Sequence, residues 1–334
     1  MKILKAMFLM ICPVWILSSC EGKEPGDSSY NLRIVYRYSP QDAGGGSGTD
    51  QSNVLGSYVK SLEEYVYDAN GRLYGITRKI NEGQLVSELK LPPGRYTVVA
   101  WGNNNNNSVG GSAALERAYI APSNVHALDP FVINKGDLLF YGYKTCEVRE
   151  GAPTHLYVNM EPAYCDLTVT LQFGNAARAA ATSDYYFMLT GMPSHSIFLP
   201  GYAVNNGEVI PYGHKDPLYD DPNDNDRTGY LPLVNDYTSP ISYRHDAVWS
   251  ENTLSTQFLT HRLSSDTHPV LSLWNGTQRI MKDIDLYTFF QAMSIQLDAQ
   301  REQKYSLGLE IVGNQVNVRN MSRRLDWDDA GGGW

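Results

Sequence analysis

Residues 89–103 read LKLPPGRYTVVAWGN, and the choice between helix and sheet is made there. Pro92-Pro93-Gly94 can neither continue a helix nor donate to a sheet ladder, so it marks a turn. Before it, Leu85, Ser87, Leu89 and Leu91 recur at every second position, the period of a strand with one buried face. After it, the chain restarts as a second extended run over 96–101. The reading is two strands joined by a proline–glycine turn.

The same pattern extends outward in both directions. Leu32, Ile34, Tyr36 and Tyr38 alternate with Arg33, Val35 and Arg37. Residues 62–67 and 73–80 flank Asn70-Gly71, a pair that accommodates the positive φ angles of a type I′ hairpin turn. Strands are predicted again over 138–143 and 155–160. Glu161-Pro162 interrupts them, and Leu167, Val169, Leu171 and Phe173 open a new strand with Cys165 in phase. Beyond it come strands over 185–190, 254–263 and 270–274, a turn at Asn275-Gly276, and strands over 305–311 and 315–318. Residues 285–293 are the one expected helix. Glycine-rich 43–53 and the five asparagines 103–107 are expected as surface loops. Short strands punctuated by Gly, Pro and Asn indicate β-sandwiches. The fold class is all-β, with an N-terminal β-sandwich over 30–161 and a C-terminal one over 162–334.

The amino terminus carries a different signal. Lys2 and Lys5 precede an apolar run over 7–17 that contains Pro13. At about 1.5 Å per residue the run is too short for a hydrocarbon core of about 30 Å, and it fits the h-region of a signal peptide over 1–19. It closes on Leu17-Ser18-Ser19-Cys20, which resembles a bacterial lipobox, and Cys20 is the expected site of lipid attachment. Residues 20–29, with Gly22, Pro25 and Gly26, form a polar linker behind the lipid.

The chain has 334 residues, enough for two domains that each bury a core. Its formal charge is −9, and loss of the leader lysines makes it more acidic. That balance argues against nucleic acid as a partner and against electrostatic docking on anionic lipid. Cys146 and Cys165 are the remaining cysteines of an exported chain: a candidate disulfide, or two separately buried thiols.

Motifs of catalysis are missing from the sequence. The seven histidines are scattered, and no His-Glu-x-x-His, Gly-x-Ser-x-Gly, phosphate loop or dinucleotide fingerprint occurs. His155 is read as a strand-surface residue. The acidic stretch 220–226 places oxygens as a calcium loop would. However, Asp226 stands where the tight turn needs glycine and Pro232 where the bidentate carboxylate belongs, so it reads as a solvated loop. No metal and no cofactor is expected, and the protein reads as a non-enzyme. Tyr36, Tyr65, Tyr67, Tyr96, Tyr305 and Trp274 fall on alternating strand positions, which favours packing over an exposed platform for glycans.

Several of these stretches together resemble the FimB-like anchor-subunit family of the type V (fimbrillin-type) pili of Bacteroidota. They are 89–103, the string DLLFYG over 137–142, the crossover over 155–173, and the ending over 305–318 with Asp326-Trp327. Residues 194–249 match weakly and are expected as a loop-rich insertion; the tail 328–334 departs from the family pattern. The resemblance implies two transthyretin-like sandwiches in tandem and a structural role without catalysis. It implies pilus shaft subunits as partners, engaged by strand complementation, with the outer membrane held through the N-terminal lipid. Glu21 and Glu24 behind Cys20 point to the cell surface. Gln315, Val316, Asn317 and Val318 are the candidate subunit contact. An anchor would keep its first strand, whereas shaft subunits lose theirs. The alternatives are a surface glycan-binding lipoprotein and a tip or accessory pilus subunit.

Overall fold

The computed structural model describes residues 30–38, 54–80, 85–126, 129–151, 153–173, 184–200, 202–205, 208–211, 233–236, 239–250, 252–264, 266–312 and 315–323. In chain order the first strands are β1 (Leu32–Arg37), β2 (Ser61–Tyr67), β3 (Leu73–Ile80), β4 (Val86–Leu89), β5 (Gly94–Gly102) and β6 (Asn107–Gly110). Next come β7 (Tyr119–Pro122), β8 (Val125–His126), β9 (Asp129–Ile133), β10 (Phe140–Val148) and β11 (Thr154–Pro162). The second half holds β12 (Tyr164–Phe173), β13 (Tyr185–Met192), β14 (His195–Pro200), β15 (Tyr202–Asn205), β16 (Glu208–Pro211) and β17 (Leu233–Asp236). It continues with β18 (Ile241–Asp246), β19 (Val248–Ser250), β20 (Thr253–His261), β21 (Val270–Asn275), β22 (Gln278–Arg279) and β23 (Ile284–Asp285). The last two are β24 (Gln303–Val312) and β25 (Gln315–Arg323). Among the described residues, the helical segments are α1 (Leu55–Tyr58), α2 (Leu286–Ala292) and single 3-10 turns at Leu115–Arg117 and Leu297–Ala299; the fold is all-β.

The first seven-stranded sheet runs β3-β2-β5-β10-β11-β1-β4 and folds over on itself at β11. Residues 154–159 of β11 pair in parallel with β1, whereas Met160 and Pro162 pair with β10. One strand thus serves two layers, and the layer holding β4 and β1 lies over the one holding β5 and β2. The close passage needs Gly142, where an added Cβ would fall 2.5 Å from Met160 Sδ. Between the layers Leu32, Ile34 and Tyr36 meet Leu62, Val66, Val98, Leu156 and Val158. Each such side chain contributes about 1.5–3 kcal/mol on full burial. The alternation read from 32 to 38 is the inward face of β1.

A second sandwich packs the sheet β19-β20-β12-β24-β25 against a sheet ordered β22-β21-β13-β18-β9-β8. Leu167, Val169, Phe258 and Leu307 meet Phe187, Tyr243 and Leu273, with Leu286 and Phe290 of α2 closing one end. The predicted helix is present; Asp285 caps it by accepting from the Tyr287 backbone N–H at 3.0 Å.

Three expectations change. The hairpin at 68–72 is not type I′, because only Gly71 takes positive φ (+69°); Gly71 N–H donates to Asp68 O, and a glycine bulge follows the turn. The weakly matched stretch 194–249 carries strands β14 to β19 rather than loops alone. The two halves also exchange strands. β9, from before Pro162, pairs with β18, and β14, from after it, pairs with β7 in the small sheet β17-β14-β7-β6. Phe198 of β14 packs on Trp101 and Tyr65, so a third core joins the halves.

Candidate functional site

The groove of the first sandwich is filled by the chain's own first strand. β1 pairs with β11 on one side and antiparallel with β4 on the other, Leu32 facing both Thr154 and Leu89. Its ends are fastened by side chains. At the start, Asn31 Nδ2 donates to Leu91 O and Asn31 Oδ1 accepts from Leu91 N–H, at 2.6 and 2.8 Å. At the far end, Tyr38 donates to Glu302 of the second sandwich at 2.6 Å and sits edge-on to Tyr58 and Phe140. On the outer face, Arg33 pairs with Glu88 and Arg37 lies over the Tyr157 ring. One residue before the end of β1, Tyr36 donates to the fully buried carboxylate of Glu64, which also accepts from Ser87 of β4. Burial, and then the Glu64 charge, push the Tyr36 hydroxyl well above its ordinary pKa, so it stays a neutral donor.

At the other end of the chain, Gln315, Val316, Asn317 and Val318 open β25, the edge strand of its sheet. Val316 and Val318 lean on the second core, while Asn317, Arg319 and Asn320 face solvent. Arg319 is the extra residue of a bulge, because Gly308 pairs with Asn320 and Leu309 with Val318. Its guanidinium reaches Gln172 and Glu310. Among the described residues, no strand pairs with the outer side of β25.

The structure does not bring the two residues of the candidate disulfide together. Cys146 is buried in the first core and Cys165 in the second. Strand register explains why. Phe140 stands opposite Pro162, so Cys146 lies about 20 Å down β10 from the crossover, while Cys165 continues beyond it. A bridge needs Cα atoms within about 7 Å.

The asparagine run has a role that its composition concealed. Asp137, nearly buried, accepts from the backbone N–H groups of Asn105 and Asn106 and from the side-chain amides of Asn106 and Asn107, at 2.5–2.9 Å. Asn107 Oδ1 in turn accepts from Nε2 of His261 in the second half, at 2.8 Å. Glu64 stands beside Glu63 in SLEEYVY and Asp137 opens DLLFYG, and neither local pattern names the donors that these acids collect.

Cys20 and the acidic stretch 220–226 lie outside the described residues. Among the described residues no group of acids, histidines and cysteines is placed to hold a metal ion, and no helix is long and apolar enough to cross a membrane. His155 is exposed on β11. Tyr36, Tyr65, Tyr67, Tyr96 and Tyr305 are buried and pack the cores, whereas Trp274 is only half-buried and stacks on Tyr186.

Among the described residues, the first strand is thus paired on both sides and the last lies at the edge of its sheet. The chain belongs to the family of fimbrillin-A associated anchor proteins Mfa1 and Mfa2, whose model matches residues 17–322. Comparison with curated proteins gave no match. Among solved structures, the fimbrial anchor protein Mfa2 from Porphyromonas gingivalis is similar at 15% identity and a TM-score of 0.54, covering 87% of this chain and 95% of that one. A candidate adhesin from Bacteroides thetaiotaomicron matches at 14% and 0.56, covering 88% and 97%. A candidate polysaccharide-binding protein from the same species matches at 16% and 0.54, covering 89% and 98%. At these identities the likeness establishes the fold. The family establishes a fimbria-associated role at the cell surface, in a family of structural anchor proteins rather than enzymes.

Proposed function

We propose that this chain is the lipid-anchored base of a fimbrium. Acyl chains on Cys20 hold it to the outer membrane, and two transthyretin-like sandwiches in tandem form its body. The edge of β25, beginning at Gln315–Val318, takes the adjoining shaft subunit by strand addition. The observation that carries this reading is the state of β1. It is paired on both sides and tied down by side chains at Asn31, Tyr36 and Tyr38. A polymerising subunit needs that groove vacated; an anchor needs its lipid-bearing end kept. The rival reading, a glycan-binding surface protein, needs exposed aromatic platforms, and the strand tyrosines named above are buried.

The test is Cys20→Ala in cells. Loss of acylation with fimbriae shed into the medium is expected, and labelled fatty acid still entering the variant overturns the anchor. The N-terminal peptide recovered from assembled fimbriae should begin ahead of Leu32. A start at Ile34 or Tyr38 would place the chain among the polymerising subunits.

A further inference from the structure

The strand order also says how the molecule carries load. β1 and β11 are parallel over six residue pairs, from Leu32 opposite Thr154 to Arg37 opposite Asn159. β11 then runs on to Pro162, and Ala163 alone separates it from β12. That one residue is held on both sides, its N–H donating to Leu139 O at 2.8 Å and its carbonyl accepting from Arg262 N–H at 3.2 Å. Tyr38, past the far end of β1, reaches Glu302 of the second sandwich. The start of β1 and the second sandwich therefore lie at opposite ends of the strand axis, about 20 Å apart along β1.

We propose that the β1–β11 pair is a mechanical clamp, loaded in shear when the body is pulled away from the chain's amino-terminal side. Tension along that line draws β1 toward its own start and β11 toward its own end. In a parallel pair those two directions oppose each other along a common axis, so every rung of the ladder bears load together. Force applied to both strands at the same end would instead open the rungs one at a time. The arrangement repeats. β12 is parallel to β24 from Cys165 opposite Gln303 to Phe173 opposite Ile311, and β24 leaves at the end remote from Ala163. The two clamps stand in series, joined by the covalent link from β11 through Ala163 to β12. Tyr36 adds a cross-bond to Glu64 in the facing layer that must break before β1 can slide. The proposal rests on the anchor reading for the direction of the load; the clamp itself follows from strand order.

Force spectroscopy on the chain from Cys20 to Trp334, unacylated, tests it. One handle is attached at Cys20 and the other at an introduced exposed thiol, Cys146 and Cys165 being buried. Leu138→Cys, at a site 44% exposed, puts the second handle at the end of the sheet near Ala163 and loads β1 in shear. Glu150→Cys, in the exposed turn before β11, puts it at the Leu32 end and unzips the same pair. At one pulling speed the shear geometry should rupture at about threefold higher force or more, since forced opening follows the barrier to breaking all rungs rather than one. Equal forces, or a weaker shear geometry, overturn the clamp. Shedding of fimbriae by Cys20→Ala reports attachment and not rupture force, so the two readings fail separately.

Discussion

The Tyr36 hydroxyl donates to Glu64 Oε2 at 2.6 Å, joining the first strand to the facing layer of its sandwich. The other oxygen of that carboxylate accepts from Ser87 at 3.0 Å. Both Tyr36 and Glu64 are fully buried, so neither bond can be replaced by solvent without opening the core. Tyr36→Phe keeps the ring and strips one donor from a buried charge, an expected loss of about 1–3 kcal/mol in urea denaturation. Tryptic cleavage at Arg33 and Arg37 should speed up in parallel. An unchanged denaturation midpoint would remove the latch.

The open edge of β25 makes a paired prediction. Successive backbone N–H groups of a strand point to opposite sides. Proline at one of positions 316 and 317 therefore removes a bond to β24, and proline at the other removes an N–H offered to a partner. One variant should melt at lower temperature. Its neighbour should melt as the parent does but no longer co-purify with the shaft subunit. If both fold and both still bind, the edge is not the contact.

Cys146 and Cys165 pack in separate cores. Non-reducing peptide mapping should return both as thiols after denaturation in alkylating reagent, and reductant should leave the melting temperature unchanged. A linked peptide pair would contradict the register of β10 and β11.

His261 supplies a pH dependence. Its ring is buried, Nε2 donating to Asn107 Oδ1 and Nδ1 accepting from the Ser196 hydroxyl at 3.1 Å. Burial, with a smaller contribution from the His195 charge, lowers its pKa to about 4 from an ordinary 6.5. Between those values the unfolded chain binds the proton and the folded one does not, so stability rises with pH across the window. It is lost as pH falls from about 6.5 toward 4, by about 3 kcal/mol for this residue. His245, lowered to about 4 by burial, acts in the same sense. His261→Gln should flatten the fall in melting temperature over that range without abolishing it, and an unaltered slope would exclude His261 as a source.

Local chemistry by itself determined the strand at Leu32–Arg37, the proline turn before β5 and the capped helix at Leu286–Ala292. Each depends on side-chain period, a missing N–H or a capping oxygen, all within a few residues. What those strands pair with was decided only in three dimensions. That β1 lies parallel to β11, that β9 and β14 cross between the halves, and that Asp137 collects the asparagine amides are contacts between residues far apart in the chain. The type of the 68–72 turn was not legible either, because Asn-Gly permits two turns and the flanking register chooses one. The cysteines show the limit most clearly. Alternation placed Cys165 on an inward face, but whether it could reach Cys146 depended on how far β10 runs past the crossover. That length is set by pairing between strands, and no local pattern encodes it.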